Sequence, residues 1–400
     1  MGVDARSAAF PVGVSATIAE LEGPEPHELL DRLREREPVS WLPVLDGWLV
    51  TRRDLALAVM RNAETFTVDD PRFSTAQVVG PSMLSLDGAE HERHRAPFAR
   101  PFRLDAVHER FAAVVENECD RLLDGIAARG EADLREALSG PLSVAAMAAA
   151  LGLEELSPDV LLRWYRGIVA AVTDITAGRE PAAEGASAFA ELGRALDPVI
   201  DREPASSLLA AAADGGGALG RAEVVANAAV LLFGGIETTD GMIANALRHV
   251  LAEDVTRAVV ERPALAMAAV EESLRLEPAA AVVDRYATRD VELGGAAIGR
   301  RDLVRVSLAA ANRDPAVFVE PHRFDPARAN AKLQLAFAQG PHVCLGMHLA
   351  RLEARAALGR AFERLPGLRL DPDADSRPTG LVFRKPSTLR VLWRVTPVVP

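Results

Sequence analysis

The stretch Phe337-Ala338-Gln339-Gly340-Pro341-His342-Val343-Cys344-Leu345-Gly346 places one cysteine in a glycine-rich loop at the start of a predicted helix. A thiol in this position lies beside unpaired backbone N–H groups and the positive end of the helix dipole, which lower its pKa. Gly340 and Gly346 carry no side chain, so a bulky ligand can approach the backbone closely. The segment therefore predicts that Cys344 is a thiolate ligand.

Two other interpretations of Cys344 stay open on the residues alone. A free cysteine is often a small packed hydrophobe when nothing in its surroundings indicates chemistry. A zinc site is the other alternative, but His342 and Cys344 supply only two ligands, and Cys119 belongs to a different predicted helix. The sequence has no spaced Cys/His cluster that would complete a tetrahedron.

The cysteine loop resembles the haem-binding segment of the cytochrome P-450 superfamily. The family pattern Phe-x-x-Gly-x-x-x-Cys-x-Gly is met by Phe337, Gly340, Cys344 and Gly346, whereas Ala338 stands where many members carry glycine. The resemblance extends over residues 25–395. It implies a mainly α, single-domain haem-thiolate fold with small β-sheets, in which Cys344 binds the haem iron. A thiolate ligand donates electron density to the iron and favours O–O cleavage.

A second segment, residues 231–239, has two adjacent glycines inside a helix predicted from about Arg221 to Leu251. Each glycine costs about 1 kcal/mol relative to alanine, so the pair indicates close approach to the backbone or a local distortion. In the family this helix crosses the oxygen-binding face of the haem. The resemblance implies that Thr238 hydrogen-bonds dioxygen and Glu237 relays protons. The alternative is a solvated Glu237 and a Thr238 bonded to its own helix.

Cations for the two haem propionates are a third feature that the resemblance implies. His91 and Arg95 are four residues apart and share one face of a predicted helix. The resemblance assigns them to the propionates, together with Arg285 and with His342 of the cysteine loop. Two carboxylates in an apolar pocket need paired cations, and arginine offers bidentate geometry. The alternative for this helix is an ordinary solvated basic face.

A charge network is predicted beneath the cysteine loop. Glu272 and Arg275 are three residues apart, share a helix face and can form an ion pair. The later segment, residues 321–324, resembles the part of the family that brings a second arginine to this pair, and it contains Arg323. We therefore predict that Glu272, Arg275 and Arg323 form a structural network without a catalytic role.

The domain organisation is predicted to be simple, because no Pro/Gly/Ser linker or charge run divides the 400 residues. We expect an N-terminal tail over residues 1–20 and one haem-thiolate monooxygenase domain over residues 21–400. Periodic apolar positions indicate helix through the middle of the chain. Short strands, the first two joined as a hairpin by Asp46-Gly47, are predicted at residues 39–42, 48–51, 289–293 and 389–393.

Composition limits the location and the partners. A net charge of −12 argues against nucleic-acid binding, and two cysteines do not support a disulfide scaffold. The uncharged run in the long predicted helix, residues 224–236, has 13 residues, against the ~20 that a membrane span needs. We expect neither a signal peptide nor a membrane anchor in the first 20 residues, which contain acidic residues and only brief apolar stretches. We expect a soluble cytoplasmic monomer of the bacterial type, with no membrane contact.

The electrons are expected to come from other proteins, because no flavin or nicotinamide fingerprint accompanies the cysteine loop. The resemblance implies haem b as cofactor, dioxygen as co-substrate, and NAD(P)H acting through a ferredoxin reductase and a ferredoxin. An acidic ferredoxin would suit a basic surface near the thiolate. The arginines that would form it are Arg93, Arg95, Arg100, Arg103, Arg351, Arg355 and Arg360. The alternative is an ordinary surface of ion pairs.

The substrate pocket implied by the resemblance is mostly apolar, so the sequence does not select one hydrophobic substrate. Its residues are Val79, Met83, Val230, Phe233, Gly234, Ala281, Val283, Val382 and Phe383. We expect hydroxylation of an apolar small molecule, such as an intermediate of secondary metabolism. Two alternatives are C–C or C–N bond formation at the same haem without oxygen insertion, and a haem protein that only recruits its ligand.

Overall fold

The computed structural model describes residues 6, 8–176, 179–202, 208–214, 219–253 and 255–395, so residues 1–5 and 396–400 of the predicted tail and domain lie outside the described part. The helices α1 to α16 span Pro11–Ser15, Ile18–Glu22, His27–Arg36, Arg53–Arg61, Ser74–Val79, Gly88–Ala99, Leu104–Asp124, Gly140–Leu151, Pro158–Thr176, Ala183–Ile200, Leu208–Asp214, Arg221–Ala252, Thr256–Glu261, Pro263–Leu276, Leu308–Ala311 and Met347–Arg364. The strands β1 to β12 span Val39–Leu42, Gly47–Val50, Phe66–Thr67, Glu131–Asp133, Val282–Ala287, Val291–Leu293, Ala296–Ile298, Leu303–Ser307, Arg369–Leu370, Pro378–Thr379, Lys385–Pro386 and Arg390–Leu392. The prediction of a mainly α fold with small β-sheets is confirmed.

The largest sheet has five strands in the order β1-β2-β8-β5-β3. The predicted hairpin is confirmed, since β1 and β2 pair antiparallel with Trp41 opposite Trp48, and Asp46 turns the chain with φ 44°. Strand β2 pairs parallel with β8, and β8 pairs antiparallel with β5. Because β5 contains Arg285, this sheet positions one of the predicted propionate ligands.

The two later predicted strands are confirmed with tighter bounds. Strand β6 begins at Val291, because the preceding Asp290 carboxylate accepts a hydrogen bond from the backbone N–H of Arg300 (2.7 Å) and shapes a turn. Strand β12 pairs with both β4 and β9, which gives a second, three-stranded sheet.

Residues 11–22 fold onto the large sheet, within the segment predicted as a tail. Helix α1 packs on β1, where the Glu37 carboxylate accepts hydrogen bonds from the backbone N–H groups of Val12 (2.7 Å) and Gly13 (2.9 Å). A Cβ at Gly13 would collide with the Ser40 side chain, so the approach requires glycine. The packed structure therefore begins before residue 21.

Helix α12 runs through the interior with nearly the predicted bounds. It packs against α8, α14 and α16, and it is buried on most sides, which is typical of a core helix. By length and composition alone α12 could cross a membrane, but 67% of its apolar window is buried inside the fold. Its contact with α16 brings it close to the cysteine loop, because α16 is the helix that follows Cys344.

The main apolar cluster joins helices α7 to α12, α14 and α16. Cys119 is fully buried in it on α7, as predicted, and burial raises the pKa of its thiol to about 12. Cys119 and Cys344 are both free thiols. The two cysteines therefore have different surroundings, one packed in the core and one in the loop before α16.

Candidate active site

The loop before Cys344 has a fixed backbone. The N–H of Cys344 donates to the carbonyl of Phe337 (2.9 Å), and the N–H of Val343 donates to that of Gly340 (3.1 Å). Gly340 has φ 79°, and a Cβ there would collide with the backbone of Met60 on α4. Glycine at this position is therefore required by both its conformation and its packing.

Ala338 adopts a left-handed conformation, with φ 57°, at the position where the family pattern favours glycine. A residue with a Cβ is strained there, whereas glycine is not. The departure from the family pattern is accommodated without a change in the turn, because the Ala338 N–H still donates to the carbonyl of Leu335 (2.8 Å).

The Cys344 side chain reaches open space, although it lies deep within the molecule. The surrounding protein raises the pKa of its thiol above the ordinary value, while backbone N–H groups of Gly346 and Met347 and the charges of Arg95 and Arg351 oppose that rise. The lowered pKa expected from the sequence is therefore not found, because the cost of placing a negative charge inside the protein is larger. The N–H groups and the two arginines nevertheless provide the surroundings that a bound thiolate needs.

A bulky group could approach the backbone closely at two glycines, one next to the cysteine loop and one on α12. A Cβ built on Gly346 meets nothing within 4 Å, and the same is true of Gly234 on α12. Gly235, in contrast, faces α8, where a Cβ would collide with the Met147 side chain. The two adjacent glycines in α12 therefore have different structural roles. Gly235 allows α12 to pack closely on α8, and Gly234 leaves open space beside the helix.

Thr238 and Glu237 differ in their contacts. The Thr238 hydroxyl donates to the carbonyl of Gly234 (2.6 Å), which is the bond to its own helix that the sequence left as an alternative. Glu237 is buried, and its carboxylate lies 2.8 Å from the Lys385 ammonium. The interpretation of Glu237 as a solvated helix residue is therefore wrong.

Lys385 also contacts Asp240, at 2.9 Å, and so bridges two buried carboxylates. The π-helix Arg135–Ser139 adds further partners, since Arg135 donates to Asp240 (2.5 Å) and the Ser139 hydroxyl donates to its other oxygen (2.6 Å). Burial alone would raise the pKa of Asp240, but Lys385 and Arg135 hold it below its usual range. The sequence analysis did not predict this cluster. Two signals pointed to it: Glu237 and Asp240 are three residues apart on one helix, and lysine is rare in this chain.

The predicted propionate ligands from two segments meet beside the cysteine loop. The rings of His91 and His342 have centroids 4.4 Å apart, and Arg95 donates to the carbonyl of Val343 (2.6 Å). His91 is buried, and its Nε2 has no hydrogen-bond partner among the described residues. Burial, together with the His342 and Arg95 charges, lowers the pKa of His91 to about 4.

Arg285 joins this group from the sheet. It is buried, and its guanidinium donates to the carbonyl of Asp284 (2.7 Å). Burial lowers the pKa of Arg285, while Asp87, which also contacts His342 at 2.8 Å, opposes that shift. Buried cationic and polar groups with spare donors fit the carboxylates of a haem. A solvated basic face is therefore excluded for His91 and Arg285.

Comparison with known proteins agrees with this geometry. The sequence profile described as "Cytochrome P450" matches residues 242–389. Cytochrome P450 107B1 of Saccharopolyspora erythraea is 33% identical over 373 residues, which are 87% of this chain and 90% of that relative. The chain belongs to the cytochrome P450 family. As a P450, it is a haem-dependent oxidoreductase.

A second relative of this P450 is a bacterial monooxygenase, and a solved P450 structure has a similar fold. The 20-oxo-5-O-mycaminosyltylactone 23-monooxygenase of Streptomyces fradiae is 34% identical, over 92% of this chain and 88% of that relative. The solved structure of cytochrome P450 CREJ in complex with (4-ethylphenyl) dihydrogen phosphate has a TM-score of 0.85 and 26% identity. It aligns with 96% of this chain and 100% of that one.

The charge network beneath the cysteine loop of this P450 differs from the prediction in one member. Glu272 and Arg275 are fully buried and form a bidentate pair (2.7 and 2.8 Å). The second arginine is Arg328, whose Nε lies 2.9 Å from Glu272. Arg323 is exposed and pairs with Glu320 (3.1 Å), so its predicted place in the network is wrong. The Arg323 carbonyl, not its side chain, points inward and accepts from Arg275 (3.1 Å).

The residues predicted for the P450 substrate pocket do not all come together. Val79, Met83 and Val230 share the main apolar cluster. Phe233 packs edge-on against Phe383, with ring centroids 5.6 Å apart, and the Val382 carbonyl accepts from the N–H of Ala281 (2.8 Å).

The side chains of Ala281 and Val283 pack elsewhere. Ala281 belongs to a cluster with Leu29 and Leu30 of α3, and Val283 packs against the cluster around Trp41. The contacts of Ala281 and Val283 therefore do not support their predicted place in the substrate pocket.

The expected basic surface of this P450 is partly neutralised. Arg93 pairs with Glu223 (2.5 Å) and Arg351 with Glu271 (2.5 Å), while Arg360 has acidic partners on α7. The exposed arginines of the set are Arg100, Arg103 and Arg355. The surface therefore combines the two alternatives that the sequence left open, ion pairs and exposed basic groups.

Proposed function

We propose that this P450 hydroxylates an apolar small molecule of secondary metabolism, with Cys344 as the ligand of a haem b iron. The observations that carry the proposal are the exposed Cys344 at the end of the cysteine loop and the room left at Gly346 and at Gly234, the latter one helical turn before Thr238. The bound haem would activate dioxygen with two electrons and transfer one oxygen atom to the substrate, the other leaving as water. His91, Arg95, Arg285 and His342 would hold its propionates.

The protein's own part in the proposed reaction is to position protons and substrate. Thr238 lies one turn after Gly234, so both occupy the same face of α12. With its hydrogen held by the Gly234 carbonyl, the Thr238 hydroxyl oxygen can accept a hydrogen bond on the open side. Glu237, held by Lys385, would act as a relay: its carboxylate would take up a proton from solvent and pass it to the Thr238 hydroxyl oxygen as Thr238 gives up its own.

The proposed pocket offers few polar groups, so shape and apolar contact would orient the substrate. Met83, Val230 and Phe233 are buried, and Val382 and Phe383 are half-buried on the facing segment. Such a lining excludes bulk water from the reacting carbon, which limits loss of the activated oxygen as peroxide.

We further propose that electrons from NAD(P)H arrive through a ferredoxin reductase and a ferredoxin. Exposed Arg100, Arg103 and Arg355 would steer an acidic ferredoxin toward the side of the molecule that carries α16 and the cysteine loop. We propose a soluble cytoplasmic monomer with one functional domain over residues 21–400 and the N-terminal segment packed on it.

The first test is a carbon monoxide spectrum of the dithionite-reduced protein. A strongly red-shifted Soret band that is lost in Cys344→Ser would support ligation by this thiolate. A red-shifted band that persists in Cys344→Ser would contradict it, because no other sulfur ligand is proposed.

The second test concerns the reaction. Candidate apolar substrates are screened by the low-spin to high-spin shift, and the product mass is measured with a ferredoxin system. Gain of one oxygen supports hydroxylation, and loss of two hydrogens supports the alternative of C–C or C–N bond formation. Ligand binding with no turnover under reducing conditions would favour recruitment without catalysis.

A further inference from the structure

We propose that Asn227 is a positioning residue that fixes the loop bearing Met83 over the pocket and thereby determines which ligands this P450 accepts. The inference rests on the proposed pocket, to which Met83 and Val230 belong. Asn227 is fully buried on α12, one turn before Val230 and two turns before Gly234. These positions share one helix face, and Gly234 borders open space.

The Asn227 side chain connects three parts of the chain. Its Oδ1 accepts a hydrogen bond from the backbone N–H of Met83 (2.8 Å). Its Nδ2 donates to the carbonyl of Glu223 (2.8 Å) and lies 3.0 Å from Nδ1 of His94 on α6. Both donor hydrogens and the acceptor oxygen are therefore in use, and a flipped amide would place two donors against each other at Met83.

The His94 ring on α6 is the partner of the Asn227 amide. Its Nδ1 faces the Asn227 amide, and its Nε2 lies 3.2 Å from an Arg93 guanidinium nitrogen and 3.4 Å from the Glu223 carboxylate. His94 is 1% exposed, so its ring is fixed between these partners. Helix α6 also carries His91 and Arg95, so the same helix serves the proposed propionate site and the loop.

The loop itself is a compact turn that needs an external anchor. The N–H groups of Ser85 (3.0 Å) and Leu86 (3.1 Å) donate to the carbonyl of Ser82, and the Ser82 N–H donates to the Ser85 hydroxyl (3.1 Å). These bonds shape the turn but do not attach it to α12. The Met83 N–H bond to Asn227 makes that attachment. A buried N–H that loses its acceptor is costly, so loss of Asn227 should release the turn.

The test compares Asn227→Ala with Asn245→Ala, both as haem-loaded protein. Asn245 is the matched control, because it is equally buried on α12 but donates to the carbonyls of Glu277 and Arg384. The readouts are hydrogen–deuterium exchange at residues 81–86 and the spectroscopic affinity for imidazole and for 4-phenylimidazole. The small azole reaches only the iron, whereas the phenyl ring extends into the pocket.

For Asn227→Ala we expect exchange at residues 81–86 to rise about tenfold or more. The affinity for 4-phenylimidazole should fall about five- to tenfold, because a released loop no longer packs on the phenyl ring. Imidazole affinity should stay within about twofold of wild type, since the iron side of the pocket is untouched. Asn245→Ala should leave both the exchange and the ratio of the two affinities unchanged.

Three results would overturn the inference: unchanged exchange, an equal change for both azoles, or the same change in Asn245→Ala. If Asn227→Ala does not take up haem, His94→Phe carries the test, since it removes the acceptor for Nδ2 at similar ring volume. It should change exchange and affinity in the same direction by a smaller factor. Wild-type protein that shows the thiolate spectrum but does not bind 4-phenylimidazole would instead refute the proposed pocket.

Discussion

Lys385 shows how a single residue can set the state of the proposed proton relay. Among the residues that the structure describes, it is the only cation in an ion pair with Glu237, whereas Asp240 also pairs with Arg135. Removing Lys385 would therefore affect Glu237 more than Asp240, since a buried carboxylate without a cation takes up a proton or turns toward water. The effect should appear in proton delivery as well as in the stability of the fold.

We predict that Lys385→Met lowers the fraction of electrons recovered in product by about tenfold and raises peroxide release correspondingly, because positioned proton transfer contributes ~10²–10⁴-fold. The measurement is the ratio of product to NAD(P)H consumed. Lys385→Arg should restore most of the coupling, and Lys332→Met, a change at an exposed lysine, should have no effect. Unchanged coupling in Lys385→Met would show that Glu237 does not depend on this ion pair.

Glu353 is a residue whose ionisation opposes folding. It is 2% exposed on α16, its Oε2 has no hydrogen-bond partner among the described residues, and burial raises its pKa well above the ordinary value of 4.5. Because the folded pKa lies above the unfolded one, its contribution is fully present below about pH 4.5. That contribution is lost progressively as the pH rises toward the folded pKa.

We predict that Glu353→Gln is more stable than wild type at neutral pH. The advantage should grow by up to about a tenfold change in the unfolding constant per pH unit, until the pH reaches the folded pKa. The measurement is urea unfolding of both proteins between pH 6 and pH 8.5. Glu363→Gln, on the exposed end of the same helix, should show no such trend. A pH-independent difference for Glu353→Gln would mean that the carboxyl is ionised, or neutral, in both states.

At the scale of an element, the backbone conformation of the cysteine loop decides which of its positions can carry a side chain. Gly340 and Ala338 both have positive φ, 79° and 57°; Gly340 lies against the backbone of α4, and the Ala338 side chain packs against the apolar cluster around Trp41. The same substitution therefore has different consequences at the two positions. Space and conformation both exclude a side chain at residue 340, and conformation alone disfavours one at residue 338.

We predict that Gly340→Ala destabilises the folded protein by about 2 kcal/mol or more, and that Ala338→Gly stabilises the loop by up to about 1 kcal/mol. The first change adds a collision to the conformational cost, and the second removes a conformational cost. Urea unfolding and the retention of haem on dilution measure both effects. Equal stability of Gly340→Ala and wild type would show that α4 can move away from the loop.

At the scale of the whole molecule, sequence reasoning succeeded where the pattern is local and failed where the partner is distant. The cysteine loop, helix α12 and the hairpin at Trp41 and Trp48 could be predicted, because spacing and turn residues lie within a few positions. The partner of Glu237 and the second arginine at Glu272 could not, because Lys385 and Arg328 reach them from remote segments. The family pattern predicts a second arginine beside Glu272 and Arg275, but it does not say which of the nearby arginines makes that contact.

The network of Glu272, Arg275 and Arg328 joins α14 to the segment that leads into the cysteine loop, so it belongs to the architecture as a whole. Arg328 also donates to the carbonyls of Val319 (2.6 Å) and Arg323 (3.1 Å), which attaches this segment at several points. We predict that Arg328→Ala destabilises the protein by about 2–4 kcal/mol, since it leaves part of a buried carboxylate and several carbonyls without a donor.

The matched control is Arg323→Ala, which removes an exposed side chain that pairs only with exposed Glu320 among the described residues. Exposed ion pairs contribute about 0–1 kcal/mol, so this variant should unfold within about 0.5 kcal/mol of wild type. Urea unfolding of the two variants side by side gives the difference. Equal destabilisation would assign the network to Arg323 after all, whereas a large effect of Arg328→Ala alone would place the second arginine five residues later than the sequence pattern suggests. If Arg328→Ala loses haem as it unfolds, the result would show that this network stabilises the cysteine loop.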